Sequence, residues 1–393
     1  MKIQKRLRAF PPILVILTVL LAAGFPGKTL ATSSQIALIQ TGASFDYVVT
    51  ILMENHPLNT SYPNGIIGNP SLPYINSLAR NYSLANYYFA VASGSLPDYI
   101  ALTNANITSV NSSCNTPSPS CSTDASNIID RVEGSGRTWK AYMEDYSGGC
   151  SGTGTSSLYV ALHNPFIFYS DITNSSARCA RIVSANPGHS GSPDSQLISD
   201  LSSTTTASNY MWLTPSNCDN MHGECAITTG DSYLSQLIPA ILNSTVFQSQ
   251  RAAIFLVFDE PTYCPYSQCP VPAIWAGPAT NFAYSSNTHY THYSLLATFE
   301  RVWSLQPLNS FDGSASAMLE FLSPPSSSVG GVIVPIDKLG VIAPFAALAS
   351  IILAATVATF YLRHGRHRRQ GIQSDVTTTS HWIGLAVPRP DVS

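Results

Sequence analysis

The apolar residues of this chain fall into short runs rich in β-branched and aromatic side chains. Residues 45–53 and 252–258 are nearly continuous apolar runs without polar alternation, a pattern typical of strands buried on both faces of a sheet. Shorter runs at 138–143, 209–214 and 271–276 predict further strands.

Helical spacing separates these runs at residues 73–80, 99–104, 231–242 and 289–303. Alternation of strands and helices is typical of an α/β domain with a mostly parallel central sheet. We therefore expect one α/β domain over residues 32–322.

Polar side chains follow the two most apolar strands at the point where each strand ends. Glu54, Asn55 and His56 come directly after the first strand, and Asp259 and Glu260 after the second. Ligands of open α/β sheets bind beyond the carboxyl ends of strands. Carboxylate and amide oxygens suit a hard divalent cation or a phosphate-bearing substrate. One such triplet also occurs in ordinary loops, but two strands that both end in acids favour a site.

A serine and several histidines are further candidates for chemistry. Ser95 lies just ahead of the predicted helix at 99–104, where it is either a helix cap or a nucleophile stabilised by the helix end. Histidines are often structural, but four of them follow strand or loop patterns and are able to bind phosphate oxygens or protonate a leaving group: His56, His163, His222 and His292.

Composition points away from nucleic acid and towards an oxidising compartment. Charged residues make up 10% of the chain and the net charge is -3, so no basic surface for nucleic acid is expected. Eight cysteines, all between Cys114 and Cys269, indicate disulfides. Sequence leaves their connectivity open. Short loops favour Cys114–Cys121, Cys218–Cys225 and Cys264–Cys269, which leaves Cys150–Cys179.

Both ends of the chain predict targeting segments. Residues 1–31 have the basic start, apolar stretch and small residues of a secretory signal peptide, with an uncleaved anchor as the alternative. Residues 340–362 form a charge-free apolar run followed by arginines, which predicts one transmembrane helix with a cytoplasmic tail at 363–393. Residues 323–339 are expected to form a stalk. The chain is thus predicted to be a membrane-tethered extracellular domain.

Six segments, in order, resemble the phosphoesterase family of the alkaline-phosphatase-like superfamily, which contains acid phosphatases and phospholipases C. They are YVVTILMENH, SLPDYIALTNA, HNPFIFYSDI, LTPSNCDNMH, IFLVFDE and THYSLLATFERVW. The resemblance implies a three-layer α/β/α sandwich with a mostly parallel central sheet. The short Leu-Pro-Asp-Tyr form is closer to the acid-phosphatase branch.

The resemblance also implies roles for individual residues. It implies one divalent metal ion, and the matching ligands are Glu54, Asn55, Asp259 and Glu260. Ser95 matches the nucleophile, and the residues that match catalytic histidines are His163, His222 and His292. His56 and Asp98 are expected to bind substrate. Asp98 stands where the family has asparagine, so an ionised Asp98 repels phosphate, whereas a protonated one donates a hydrogen bond.

These expectations define a function with two alternatives. The main prediction is metal-assisted hydrolysis of a phosphoester through a phosphoserine at Ser95. A phospholipase C that acts on lipid headgroups differs in the leaving group, and the membrane tether favours it. A catalytically idle surface-binding module on the same fold is the third interpretation, and Asp98 favours that one.

Overall fold

The computed structural model describes residues 44–187, 194–223, 225–262, 264–324 and 354–358. The chain divides into two units, residues 1–326 and 327–393. In the second unit the described residues form a short helical segment at 354–358. Within the described ranges, no helix has both the length and the apolar character needed to cross a bilayer. The predicted signal peptide, the tail and most of the stalk and of 340–362 lie outside the described residues.

An eight-stranded sheet forms the centre of the first unit, in the order β5-β4-β6-β1-β7-β8-β2-β9. The five strands from β5 to β7 are parallel, β8 runs antiparallel to both of its neighbours, and β9 is parallel to β2. Strands β3 and β10 pair separately. The predicted mostly parallel α/β fold is confirmed. The strands are β1 (Tyr47–Met53), β2 (Ser83–Ala85), β3 (Tyr88–Phe89), β4 (Trp139–Met143), β5 (Ile182–Ser184), β6 (Tyr210–Thr214), β7 (Ala252–Phe258), β8 (Ala273–Ala276), β9 (Tyr284–Ser286) and β10 (Tyr290–Thr291).

Helices follow most of the strands. One group pairs α1 with α7, and a second group joins α2 to α9 and α9 to α10. Short 3₁₀ turns occur at Ala161–His163, Pro165–Phe168 and Leu319–Phe321. The helices are α1 (Pro73–Asn81), α2 (Ser95–Asn104), α3 (Ile128–Gly134), α4 (Ser170–Thr173), α5 (Ser176–Cys179), α6 (Ser195–Asp200), α7 (Ile227–Leu242), α8 (Thr245–Ser249), α9 (His292–Trp303) and α10 (Ser310–Ser314).

The two most apolar runs of the sequence form β1 and β7, which lie next to each other inside the sheet. Strand β1 lies between β6 and β7, and every residue of β7 is buried. A strand covered on both faces needs apolar side chains at every position, which explains the continuous runs. Large aromatic rings fill the core around them, among them the fully buried Trp139, Trp212 and Trp275.

Three predicted helix starts were displaced. Helix α2 begins at Ser95 rather than at residue 99, because Pro97 is tolerated in a first turn, where the N–H groups have no partner within the helix. Helix α7 begins at Ile227 rather than at residue 231. Helix α9 begins at His292, since the two residues before it pair with β3.

The four disulfides are the predicted ones, Cys114–Cys121, Cys150–Cys179, Cys218–Cys225 and Cys264–Cys269. They account for all eight cysteines. Three close loops of five to seven residues, as the short spacing favoured.

Candidate active site

The ends of β1 and β7 bring two acids together. Met53 is aligned with Phe258 in the parallel register, so Glu54 and Asp259 follow at the same level of the sheet. The Asp259 N–H donates to the Met53 carbonyl at 3.0 Å, and the Asn55 N–H donates to Asp259 Oδ1 at 2.9 Å. Asn55 has a φ of 65°, a left-handed conformation that asparagine tolerates better than most residues.

Ser95 lies directly beside these acids. Its Oγ donates to Glu54 Oε2 at 3.1 Å, from the first position of α2. The preceding residue, Gly94, has a φ of 98°, which favours glycine, and its N–H donates to Glu260 Oε2 at 2.8 Å. The start of α2 is therefore held between the acids of both strands.

An aromatic and an imidazole ring cover the other side of Glu54. The Tyr99 hydroxyl donates to Glu54 Oε1 at 2.6 Å, and His163 Nε2 lies 3.3 Å from the same oxygen. The two rings stack, with centroids 5.4 Å apart and planes 12° from parallel. Tyr99 was not among the site residues predicted from the sequence. It lies four residues after Ser95 and therefore on the same helix face, which is the signal that points to it as a site residue.

The loop after β6 brings a second imidazole. His222 lies with its ring centroid 5.6 Å from that of His163, and its Nδ1 is buried without a hydrogen-bond partner among the described residues. Ligand atoms of Glu54, His163 and His222 all lie within 4.8 Å of one another. Asn217, on the same loop, has a buried side-chain oxygen that likewise lacks a partner, and the sequence analysis had given it no role.

Burial dominates the electrostatics of the site. Glu54 and Asp259 are fully buried, and burial raises the pKa of both carboxyl groups, with the negative charge of Asp259 raising that of Glu54 further. Burial, followed by the charge of Asp259, raises the pKa of Glu260 to about 7. Burial lowers the pKa of His163 to about 3, so this imidazole is neutral.

These residues fit a divalent cation. Asp259 Oδ2 is buried and has no hydrogen-bond partner among the described residues. No lysine or arginine of the described ranges forms an ion pair with Glu54, Asp259 or Glu260. Adjacent buried carboxylates require a proton or a cation between them. Carboxylate oxygens and neutral imidazole nitrogens together suit a borderline divalent metal.

A cavity of about 480 Å³ opens beside Ser95. His163, His222, Asn55 and Glu260 line it together with Ser95. The predicted nucleophile, two of the predicted histidines and part of the predicted ligand set therefore face one space large enough for a small phosphoester. Asn55 uses its side-chain oxygen to accept from Thr262 Oγ1 at 2.7 Å, so Thr262 fixes the orientation of this amide.

Asp98 and His292 lie behind the site rather than in the cavity, and both are fully buried. Asp98 Oδ1 accepts from the N–H groups of Val91 and Ala92 at 2.9 and 3.0 Å. His292 Nε2 donates to the Asp259 carbonyl at 2.6 Å, and its Nδ1 lies 3.1 Å from the Tyr88 hydroxyl. Neither side chain lines the cavity, and the expected roles, substrate binding for Asp98 and catalysis for His292, stay predictions.

His56 also points away from the cavity. Its ring nitrogens lie 3.0 Å from the Asn64 carbonyl and 3.1 Å from the Met221 carbonyl. It thereby joins the loop after β1 to the loop that carries His222. The expected contact of His56 with substrate stays a prediction.

The family model described as Phosphoesterase family matches residues 65–306, more than half of the chain. This chain belongs to the Phosphoesterase family. The matched range includes Ser95, His163, His222 and the acids after β7, and it begins after Glu54 and Asn55. The assignment of those two residues to the site thus depends on the geometry described above.

Relatives with a described activity are distant. A phosphate-repressible acid phosphatase of Penicillium chrysogenum is 24% identical over 284 residues, which cover 70% of this chain and 63% of that protein. A phosphatidylinositol-3-phosphatase of Mycobacterium tuberculosis is 24% identical over 289 residues, 72% of this chain and 86% of that protein. The chain thus spans less than two thirds of the fungal enzyme. A solved Vibrio parahaemolyticus protein of the alkaline phosphatase superfamily is 12% identical, with a TM-score of 0.49 and coverage of 67% of each chain.

Proposed function

We propose that this member of the Phosphoesterase family is a metal-dependent, acid-phosphatase-like phosphomonoesterase with Ser95 as its nucleophile. The observation that carries the proposal is the hydrogen bond of 3.1 Å from Ser95 Oγ to the buried Glu54, at the edge of a cavity. A hydroxyl at this position has a carboxylate to receive its proton and open space for the phosphoryl group.

The chain's own residues supply the steps of the reaction. Glu54 accepts the Ser95 proton as Oγ attacks phosphorus, and the alcohol departs from the opposite side of the phosphoryl group. His222 faces the cavity and protonates the departing oxygen. Water then attacks phosphorus and the bond to Ser95 Oγ breaks; His222 takes a proton from the water, and Glu54 returns its proton to Ser95 Oγ. The N-terminus of α2, which begins at Ser95, favours the negative charge of the phosphoryl oxygens.

Glu54, Asn55, Asp259 and Glu260 would hold one divalent cation, and ligand atoms of His163 and His222 lie within 4.8 Å of one on Glu54. When bound, such a cation offsets negative charge on the phosphoryl group and on the attacking oxygen. His163 remains neutral at this position because burial lowers its pKa to about 3. It can therefore bind a metal or donate to Glu54 without adding charge to the site.

The three-layer fold and the membrane tether are also part of the proposal. The two helix groups support the three-layer α/β/α arrangement that the family resemblance implies. The basic, apolar and small residues of 1–31 and the apolar run of 340–362 with its arginine flank support export and a single C-terminal membrane tether, with the active site outside the cell.

Substitution of the nucleophile tests the activity. We expect Ser95→Ala to lower kcat for p-nitrophenyl phosphate by about 10³-fold or more, because the attacking oxygen is removed. Ser202→Ala is the matched control, since Ser202 is exposed and lies outside the cavity. Ser95→Ala activity within tenfold of the parent chain would remove Ser95 from the role.

A phospholipase C remains the second candidate because of the predicted tether. Hydrolysis of phosphatidylcholine with release of phosphocholine, at a rate above that of phosphomonoesters, would favour it. An ectodomain that binds a divalent metal and hydrolyses no phosphoester would favour the idle surface module.

A further inference from the structure

The cavity beside Ser95 has lining residues that the proposed chemistry does not use. Four of them are apolar: Leu96, Pro97, Val160 and Leu162. Four more are uncharged: Ser112, Cys114, Asn115 and Asn217.

The cavity lining holds few ionisable groups. Among the described residues that line it there is no lysine and no arginine. The ionisable lining residues are His163, His222 and Glu260, and Glu260 is the one carboxylate among the described lining residues. Away from the reacting phosphate, a second anionic group on the substrate would therefore meet mainly apolar carbon, hydroxyls and amides.

Several of these lining residues are held close to fixed points of the fold. Cys114 is joined to Cys121, so the segment that carries Asn115 is closed into a loop. Leu162 immediately precedes His163 in the same 3₁₀ turn, and Leu96 and Pro97 follow Ser95 in the first turn of α2. Each apolar wall residue from these two segments is thus fixed relative to a catalytic side chain.

An unpaired anion loses its hydration when it enters such a pocket and receives no countercharge in return. An uncharged alcohol with some apolar surface gains from the same walls. Arginine and lysine are the side chains that proteins use to bind a further phosphate or carboxylate, and the described walls present neither.

We propose that this cavity selects phosphomonoesters whose alcohol portion is uncharged and partly apolar, and discriminates against substrates with a second anionic group near the reacting phosphate. The inference rests on the proposed phosphomonoesterase function and narrows its substrate class.

Two substrates of nearly equal shape test the effect of charge on the leaving group alone. 4-Carbamoylphenyl phosphate and 4-carboxyphenyl phosphate differ in one group, a neutral amide against a carboxylate. We expect kcat/KM of the parent chain, with divalent metal present, to be at least tenfold higher for the carbamoyl ester. The difference should shrink as salt concentration rises, because screening weakens the repulsion of the anion.

A single added charge should reverse part of the preference. Asn115 is exposed, so Asn115→Lys is compatible with the fold and places an ammonium at the rim. We expect it to raise kcat/KM for the carboxy ester at least threefold and to change that for the carbamoyl ester by a smaller factor, so that the ratio of the two esters falls. Asn115→Gln is the matched control and should leave the ratio of the two esters unchanged.

The possible outcomes distinguish failure of the substrate preference from failure of the proposed phosphomonoesterase function. Equal kcat/KM for the two esters, or a ratio that Asn115→Lys does not change, overturns the substrate preference while the phosphomonoesterase function stands. Hydrolysis of neither ester by the metal-loaded parent chain overturns the proposed function, and the preference with it.

Discussion

At the scale of residues, Glu54 joins most of the site. It accepts from Ser95 Oγ and from the Tyr99 hydroxyl, and it lies beside His163. Its burial and the adjacent Asp259 raise its pKa, which favours transfer of the Ser95 proton to it.

Substitution of Glu54 tests the metal centre independently of catalysis. Glu54→Gln keeps the shape and removes the charge, so we expect loss of the metal-induced rise in Tm and a fall in kcat of about 10³-fold. Calorimetry with the metal alone checks the first point and p-nitrophenyl phosphate the second. Asp124→Asn, at an exposed position, is the control. Unchanged metal affinity in Glu54→Gln would contradict this ligand assignment.

Tyr99 is predicted to position Glu54 rather than to react. Tyr99→Phe removes one hydrogen bond to a carboxylate, a contact worth about 1.5–3 kcal/mol, and we expect kcat to fall by about 10- to 100-fold. KM should change less than threefold, because Tyr99 does not line the cavity. A change confined to KM would show that this role is wrong.

At the scale of elements, the strand ends were predictable and the helix starts less so. Continuous apolar runs identified β1 and β7, and the proximity of the acids after them follows from the parallel register of Met53 with Phe258.

The direction of individual side chains could not be predicted from the sequence. Asp98 follows Ser95 within one turn yet points inward to two backbone N–H groups, and His292 contacts the backbone behind Asp259. Tertiary packing decides such orientations, and sequence spacing does not encode it.

Buried acids also lie outside the catalytic site, Glu144 directly after β4 and Asp194 directly before α6. Burial, with the charge of Asp194 and Asp219, raises the pKa of Glu144. Burial raises the pKa of Asp194 to about 7, although the Tyr233 hydroxyl donates to it. Because these folded-state pKa values lie above those of the unfolded chain, the folded state holds more protons, and stability declines as pH rises from about 4 towards 7.

Asp194→Asn should flatten this decline. We expect the free energy of unfolding of the parent chain to decrease between pH 4 and pH 7, and that of Asp194→Asn to decrease less over the same interval. Urea unfolding at a series of pH values measures it, with Asp124→Asn as the exposed control. Parallel curves for the parent chain and Asp194→Asn would rule out Asp194 as a source of the pH dependence.

At the scale of the whole molecule, the disulfides confine the loops around the site. Spacing alone suggested the short loops, and the remaining pair, Cys150–Cys179, spans 29 residues.

The targeting segments at the two ends stay predictions, since residues 1–31 and most of 340–362 lie outside the described ranges. Their detection depends on local hydropathy, whereas the active site depends on contacts between distant parts of the chain.

Removal of the longest disulfide loop should cost stability without removing activity. Replacing both Cys150 and Cys179 with serine frees a loop of 29 residues, and we expect the free energy of unfolding to fall by about 3 kcal/mol. The kcat for p-nitrophenyl phosphate at 25 °C should stay within twofold, since neither cysteine lines the cavity. Loss of activity in protein that is still folded would contradict this separation.

The most direct test of the account is identification of the phosphorylated residue during turnover. The metal-loaded chain is mixed with p-nitrophenyl phosphate, quenched in acid within milliseconds and digested for mass spectrometry. The account predicts phosphate on the peptide that contains Ser95, and none on that peptide in Ser95→Ala. Phosphate on another residue, or full turnover without any phosphorylated peptide, would contradict it.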